Sequence, residues 1–290
     1  MRRVKKVRIL SIDGGGIRGI IPARILEALE KRIGAPIGTR FEMIAGTSTG
    51  SILAASLAKP DPVAAADLVQ LYLQRGTAIF SPPWWYTART LGGLIHAKYP
   101  AARLEQELKS KLADTKLSEV QDVNLLVPAY RLQAMDPYFF KSWKARGIDL
   151  DSKKESAAQH DFRLRDVCRA SSAAPTYFEP ARIENGAGSE TAYVDGGVFA
   201  NNPAACAFAS ARRLYPNAKE FVIVSLGTGH YDKPIGYRTA KDWGLVGWAR
   251  PIINLILDGS GETIDYQMQE AFRRPSRYFR FDIGLGDPAV

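Results

Sequence analysis

The feature that most constrains this chain is a five-residue turn, Gly46-Thr47-Ser48-Thr49-Gly50, between two apolar runs. Residues 41–45 before it are typical of a short buried strand, and residues 52–57 after it are typical of a buried helix. Glycines at both ends permit a sharp strand-to-helix turn on which a serine exposes its hydroxyl. The pattern predicts an α/β fold with Ser48 as a candidate nucleophile. A serine that only caps a core helix has the same local sequence.

A second glycine-rich turn, residues 13–19, follows an earlier strand-like run at residues 4–12. Glycines allow backbone N–H groups to converge on a small anion. The loop therefore offers three candidates for an oxyanion hole: Gly14, Gly15 and Gly16. Arg18 adds a cation that could hold the loop or a substrate phosphate.

The same loop, from Gly14 to Gly19, also satisfies the GxGxxG pattern of dinucleotide-binding turns. Such a fold needs an acidic residue at the end of the second strand. Glu42 lies instead at the start of that strand, so the match is poor. A non-enzymatic nucleotide-binding module that uses this loop remains an alternative.

The base that would activate Ser48 has two candidates. Asp195 ends a strand-like run at residues 192–194 and precedes two glycines, and we expect it at the same rim of a parallel sheet as Ser48. A free aspartate titrates near ~3.9, and burial would raise its basicity. Of the three histidines, only His230, which follows Gly227-Thr228-Gly229 at a strand end, is a credible rival. A Ser–His hydrolase or acyltransferase therefore remains open.

Strand-like and helix-like runs alternate along the chain, which indicates an α/β sandwich with a mostly parallel sheet. Asp61-Pro62 resembles an N-cap followed by a first-turn proline, and predicts a helix that continues to about residue 75. Residues 243–257 are typical of a helix despite Pro251. We expect a single domain over residues 1–290, because no linker interrupts the pattern.

Composition indicates which partners and which cellular compartment to expect. Lys and Arg exceed Asp and Glu by nine, which favours an anionic partner such as a phospholipid surface or a nucleotide. Basic residues are not concentrated outside residues 2–8, so a nucleic acid polymer is not expected. The two cysteines, Cys168 and Cys206, form no metal spacing and favour a reduced, cytoplasmic protein without metal or cofactor.

Taken in order, Asp13-Gly14-Gly15-Gly16-Ile17-Arg18-Gly19, Gly46-Thr47-Ser48-Thr49-Gly50 and Asp195-Gly196-Gly197 resemble the motifs of the patatin-like phospholipase family. The resemblance covers nearly the whole chain. It implies a patatin-like three-layer sandwich, with helices flanking a mostly parallel central sheet. It also implies hydrolysis of lipid acyl esters by a dyad of Ser48 and Asp195, with Gly14, Gly15 and Gly16 as the oxyanion hole and Arg18 in support.

The stretch from Trp248 to Gln267 is similar to bacterial members of that family. Some of those members are phospholipase effectors of antiphage defence that a cyclic nucleotide activates, and this resemblance implies such an activator for the present chain. We further expect peripheral contact with the inner membrane surface, through aromatic stretches at residues 80–86 and 243–248. The aromatic residues could equally cover the core or form a contact in a homo-oligomer.

Overall fold

The computed structural model describes residues 5–80, 97–149, 155–231, 234–249, 251–272 and 277–286. Its described strands are β1 (Lys6–Ile12), β2 (Met43–Gly46), β3 (Asn124–Arg131), β4 (Asp136–Lys141), β5 (Ala181–Glu184), β6 (Glu190–Asp195), β7 (Glu220–Leu226), β8 (His230–Tyr231), β9 (Tyr278–Phe281) and β10 (Gly284–Leu285). Its longer described helices are α1 (Ile20–Ile33), α2 (Thr49–Ala58), α3 (Ala65–Phe80), α4 (Ala101–Leu112), α7 (Leu164–Ser171), α9 (Ala204–Leu214) and α12 (Pro251–Ala271). Its four-residue described helices are α5 (Ser142–Ala145), α6 (Ala157–His160), α8 (Gly197–Ala200), α10 (Tyr237–Ala240) and α11 (Leu245–Trp248). Single 3₁₀ turns are formed by Gly16–Gly19, Ile37–Arg40 and Leu117–Glu119.

The central sheet is mixed but mostly parallel. Five neighbouring strands, in the order β3-β2-β1-β7-β9, run in the same direction. β4 and β6 each pair with β3 in the antiparallel sense, and β5 continues the sheet beyond β6. Short strands β8 and β10 form a separate parallel pair.

One edge of β3 carries two strands that meet end to end. β4 occupies the other edge along the whole of Leu126–Arg131. β2 pairs with the first part of β3, up to the Ala45–Leu126 pair, and β6 pairs antiparallel with its last part, down to the Ala129–Asp195 pair. The carboxyl ends of β2 and β6 therefore face each other across a short gap.

Helices cover both faces of the sheet, because each central strand buries alternate residues on opposite sides. In β1, Leu10 and Ile12 pack into the core under α1, α2, α3, α4 and α7. Val7 and Ile9 pack into a second core under α9 and α12. The expected three-layer sandwich is confirmed.

All ten residues of α2 are buried. The sequence predicts this burial, since a helix that is apolar on most faces has no side suited to water. A buried helix of this kind holds a fixed position relative to the sheet, which determines where the turn before it lies.

The predicted bounds of two helices are wrong. α3 begins at Ala65 rather than at Pro62, because the Glu30 carboxylate of α1 accepts the Ala65 N–H at 2.8 Å and so replaces a local cap. Pro251 does not lie inside one helix: α11 ends at Trp248, and Pro251 is the first residue of α12. α12 also continues to Ala271, beyond the predicted end.

Among the described residues, no helix combines the length and the apolar composition that a bilayer span requires. Residues 81–86 of the first predicted lipid-contacting stretch lie outside the described residues.

Candidate active site

Ser48 lies on a strained turn between β2 and α2. Its backbone has φ 52° and ψ −124°, a conformation that residues other than glycine rarely adopt. Such strain costs about 1–3 kcal/mol and persists only where the surrounding structure imposes it. The predicted strand–turn–helix context of the serine is present, with a half-buried Ser48 at the amino end of α2.

Two other serines hold this turn. The Ser171 hydroxyl accepts the Ser48 N–H at 2.9 Å and donates to the Pro128 carbonyl of β3 at 2.7 Å. The Ser51 hydroxyl donates to the Ser48 carbonyl at 2.5 Å. Sequence reasoning missed Ser171, which lies 123 positions from Ser48 at the end of α7 and belongs to no motif that would single it out.

Asp195 is the last residue of β6, and its carboxyl lines the same cavity as Ser48, close enough for the Ser48 hydroxyl to lower its pKa. The expectation that Asp195 ends a parallel strand is wrong. β6 runs antiparallel to β3 and approaches Ser48 from the opposite direction. The two side chains meet because the ends of β2 and β6 face each other along one edge of β3.

Burial controls the acidity of Asp195, which is 2% exposed. Loss of solvation raises the pKa of its carboxyl to about 7, although the hydrogen bond from the Gly197 N–H, at 2.7 Å, and the nearby Ser48 hydroxyl act in the opposite direction. A carboxylate that titrates near neutrality is a far better proton acceptor than a solvated aspartate.

The glycine loop lies beside Ser48, but its three candidate donors are not equivalent. The Gly14 N–H donates to the Asn201 carbonyl at 3.0 Å, so it is already used. The Gly15 and Gly16 N–H groups have no acceptor among the described residues, and both glycines line the cavity over Ser48. Gly15 and Gly16 are therefore the better placed of the three candidates, and the oxyanion hole itself stays a prediction.

A cavity of about 300 Å³ opens over these groups. Ser48, Asp195, Gly15 and Gly16 are part of its lining. Its described walls are mostly apolar and include Ile52, Leu71, Ile79, Leu104, Leu108 and Phe178. Pockets of this kind, apolar with a few convergent polar groups, are typical of small-molecule sites.

A family model described as patatin-like phospholipase matches residues 10–208, a range that contains all three motifs and most of the sheet. The chain belongs to the patatin-like phospholipase family. Membership supports a hydrolase that acts on lipid acyl esters.

Plant proteins are among the relatives of this patatin-like chain. Patatin-like protein 2 of Oryza sativa subsp. indica is 32% identical over 93% of this chain and 74% of its own length. Patatin-like protein 2 of Arabidopsis thaliana is 33% identical over 98% of this chain and 77% of its own length. A Solanum tuberosum relative, 31% identical over 92% of this chain and 75% of its own length, is named "Probable inactive patatin-3-Kuras 1". Because that name describes a relative as inactive, membership of the family does not by itself establish activity, and the geometry of the site has to be considered as well.

A structural comparison matches VipD from Legionella pneumophila, with a TM-score of 0.44 and 12% sequence identity. The match covers 98% of the present chain and 62% of the VipD chain.

Arg18 of this patatin-like chain borders both the Ser48 cavity and a smaller neighbouring cleft. Its charge acts on Asp258 of α12, where it opposes the rise in pKa that burial causes. Its predicted support of the oxyanion hole stays a prediction.

His230, the rival base, lines the smaller cleft and is not part of the described lining of the Ser48 cavity. Its Nδ1 lies 4.0 Å from the Asp282 carboxylate, and its side chain is 45% exposed. His160 lies elsewhere, with its Nε2 3.2 Å from a Glu155 carboxylate oxygen.

The structure does not place Glu42, the acidic residue considered for dinucleotide binding, near the glycine loop. Glu42 lies just before β2, at the amino end of the strand, and binds Arg8 there through contacts of 2.7 and 3.2 Å. The glycine loop follows the carboxyl end of β1, at the opposite end of the sheet. Glu42 is therefore not placed to bind a ribose held at that loop.

Proposed function

We propose that this protein hydrolyses fatty-acid esters of membrane phospholipids with Ser48 as nucleophile and Asp195 as general base. The observation that carries the proposal is that the Ser48 hydroxyl and the Asp195 carboxyl line one mostly apolar cavity, close enough for the hydroxyl to act on the pKa of the carboxyl. The apolar walls suit a fatty acyl chain, since each buried methylene contributes about 0.8 kcal/mol.

The reaction proceeds through an acyl-enzyme. Ser48 Oγ attacks the ester carbonyl while Asp195 accepts the hydroxyl proton, and the carbonyl oxygen becomes an oxyanion held by the Gly15 and Gly16 N–H groups. Asp195 passes the proton to the leaving alcohol oxygen as the C–O bond breaks. Water then attacks the acyl-enzyme, Asp195 takes a proton from it, and the fatty acid leaves as Ser48 regains its hydrogen.

A membrane surface is the partner that such a substrate requires. Leu245 and Val246 of α11 are 92% and 84% exposed, and Ile252, Leu255 and Ile256 of α12 are also exposed. The neighbouring α12 residues Asn254 and Leu257 line the Ser48 cavity. Exposed apolar side chains beside the cavity are suited to shallow insertion among lipids, with the net charge of +9 favouring anionic headgroups.

Ser48→Ala tests the nucleophile. We expect it to abolish fatty-acid release from phospholipid vesicles and hydrolysis of a soluble p-nitrophenyl ester, since it removes the hydroxyl on which the acyl-enzyme forms. Ser110→Ala is the matched control, because the Ser110 hydroxyl is exposed and bonds only the local Glu107 carbonyl. Hydrolysis retained by folded Ser48→Ala would refute the assignment.

His230→Ala separates the two candidate bases in the same assay. We expect activity within about threefold of the wild-type value, because the imidazole faces a different cleft. An inactive, folded His230→Ala would favour the Ser–His alternative instead.

The predicted cyclic-nucleotide activator, role in antiphage defence and homo-oligomer stay predictions. The vesicle assay tests the first directly, with a panel of cyclic nucleotides added to wild-type protein. Hydrolysis that is equal with and without every nucleotide would count against an activated effector.

A further inference from the structure

The Gly227-Thr228-Gly229 segment after β7 has no part in the proposed reaction, yet it packs against the glycine loop. The Thr228 hydroxyl donates to the Gly14 carbonyl at 2.7 Å, and Thr228 is 4% exposed. A Cβ atom at Gly15 would lie 2.2 Å from Thr228 Oγ1. Thr228 does not belong to the described lining of the Ser48 cavity, so any effect on the reaction passes through the loop.

The Gly14 carbonyl and the Gly15 N–H belong to one peptide plane. In a trans peptide these two groups point in opposite directions, and no described peptide bond of this chain is cis. A hydroxyl that fixes the Gly14 carbonyl therefore fixes the direction of the Gly15 N–H. The preceding plane is also held, because the Gly14 N–H donates to the Asn201 carbonyl.

An ion-pair network holds the start of the same loop. Arg280 of β9 contacts the buried Asp13 carboxylate at 2.7 Å and the Asp282 carboxylate at 2.8 Å. It also donates to the Ser225 hydroxyl of β7 at 3.0 Å. The Asp13 N–H donates to the Leu226 carbonyl, so Asp13 is bound through both its backbone and its side chain to strands β7 and β9.

We infer that Thr228 is a positioning residue that aims the Gly15 N–H at the oxyanion, and that Arg280 supports it by anchoring Asp13. This inference rests on the proposed function. It gives a role to the glycine–threonine–glycine segment, and it explains how Gly14 and Gly15, which have no side chains, are held in one orientation.

The decisive variants are Thr228→Val, which removes the donor at similar size, and Thr228→Ser, which keeps it. The readout is kcat and KM for a soluble p-nitrophenyl ester, with kcat expressed per site titrated to completion by a fluorophosphonate. We expect Thr228→Val to lower kcat about 10- to 100-fold with KM nearly unchanged, and Thr228→Ser to restore most of it. A loss of folded protein would lower the number of titrated sites and not kcat per site.

Thr39→Val is the matched control. The Thr39 hydroxyl also donates to a carbonyl at 2.7 Å, that of Pro36, but it is exposed and lies in the turn before β2, at the amino end of the sheet. We expect its kcat to equal the wild-type value.

Arg280→Lys provides a second, independent arm, because lysine keeps the charge but cannot bridge two carboxylates and a hydroxyl. We expect a fall in kcat per site of about tenfold. Arg8→Lys is its control, since Arg8 also binds a carboxylate through two nitrogens, but at the amino end of the sheet.

The inference is overturned if folded Thr228→Val keeps wild-type kcat per site, or if Thr228→Ser is as impaired as Thr228→Val. Should Arg280→Lys fail to fold, the two threonine variants still decide. Failure of the proposed function is distinct from either result, because it requires Ser48→Ala to remain active.

Discussion

Asp195 illustrates how the surroundings of one residue set its chemistry. Its carboxyl is buried beside a single hydroxyl and one backbone N–H, with no described cation in contact. Burial therefore raises its pKa, and the folded state holds a proton that the unfolded chain releases more readily. The same burial that would make Asp195 an effective base in the proposed reaction makes its ionised form costly to the fold.

Asp195→Asn tests this trade-off. The pKa is about 7 in the folded state and about 3.9 in the unfolded chain, so the stability contributed by this group is greatest below pH 4 and falls as pH rises towards 7. Asparagine does not titrate. We expect thermal unfolding to show a higher Tm for Asp195→Asn than for wild type at pH 8, little difference at pH 4, and no esterase activity at either pH. Equal Tm values at pH 8 would contradict the shift.

At the level of secondary structure, the site depends on close packing where α2 crosses the end of β1. A Cβ atom at Gly50 would lie 2.2 Å from the Ile12 carbonyl oxygen and 2.7 Å from that of Asp13. Backbone atoms of a central strand cannot move aside as a flexible side chain can. Gly50 therefore allows the helix, and with it the Ser48 turn, to approach the glycine loop.

Gly50→Ala should destabilise the protein by about 3 kcal/mol, because the added methyl group forces α2 away from β1. Urea unfolding measures the change, and esterase activity should fall with it. Gly259→Ala in α12 is the matched control, and we expect it to stabilise the protein. Its Cβ would meet nothing within 4 Å, and alanine favours a helix by about 1 kcal/mol over glycine. An unaltered urea midpoint for Gly50→Ala would show that the packing is looser than these distances indicate.

For the whole molecule, the exposed apolar residues of α11 and α12 lie beside a cavity that the sheet and both helix layers build together. Leu245 and Val246 face away from the protein, whereas Leu257 of α12 lines the cavity. Substrate that leaves a membrane at this surface would enter next to Ser48.

Leu245→Glu/Val246→Glu tests the membrane surface. Negative charges oppose insertion among anionic lipids, so we expect at least a tenfold loss of vesicle binding and vesicle hydrolysis, with soluble-ester hydrolysis unchanged. Flotation with phosphatidylglycerol vesicles measures the binding. Ile33→Glu, at an exposed apolar position at the far end of α1, is the control for added charge. Vesicle hydrolysis that survives the double substitution would place the lipid contact elsewhere.

Sequence reasoning located the local elements well, because each depends on neighbouring residues. The strand predicted at residues 41–45 overlaps β2 (Met43–Gly46), and the buried helix predicted at residues 52–57 lies within α2. The start of α3 was mispredicted because its cap comes from Glu30 in another helix. A local sequence pattern cannot show that a hydrogen-bond acceptor 35 positions away will cap the helix.

For the candidate site, too, the sequence predicted the local features and the tertiary structure decided the long-range contacts. Patterns of apolar residues and glycines, read along the chain, were sufficient to select Ser48, Asp195 and the glycine loop and to indicate an α/β sandwich. The resemblance of the three motifs to the patatin-like family implied the specific fold. The tertiary structure alone decided that β6 meets β2 end to end, that Asn201 occupies the Gly14 N–H, and that Ser171 and Thr228 hold the two turns. Those contacts join residues more than a hundred positions apart, and their partners follow from strand order and direction, which no short stretch of sequence specifies.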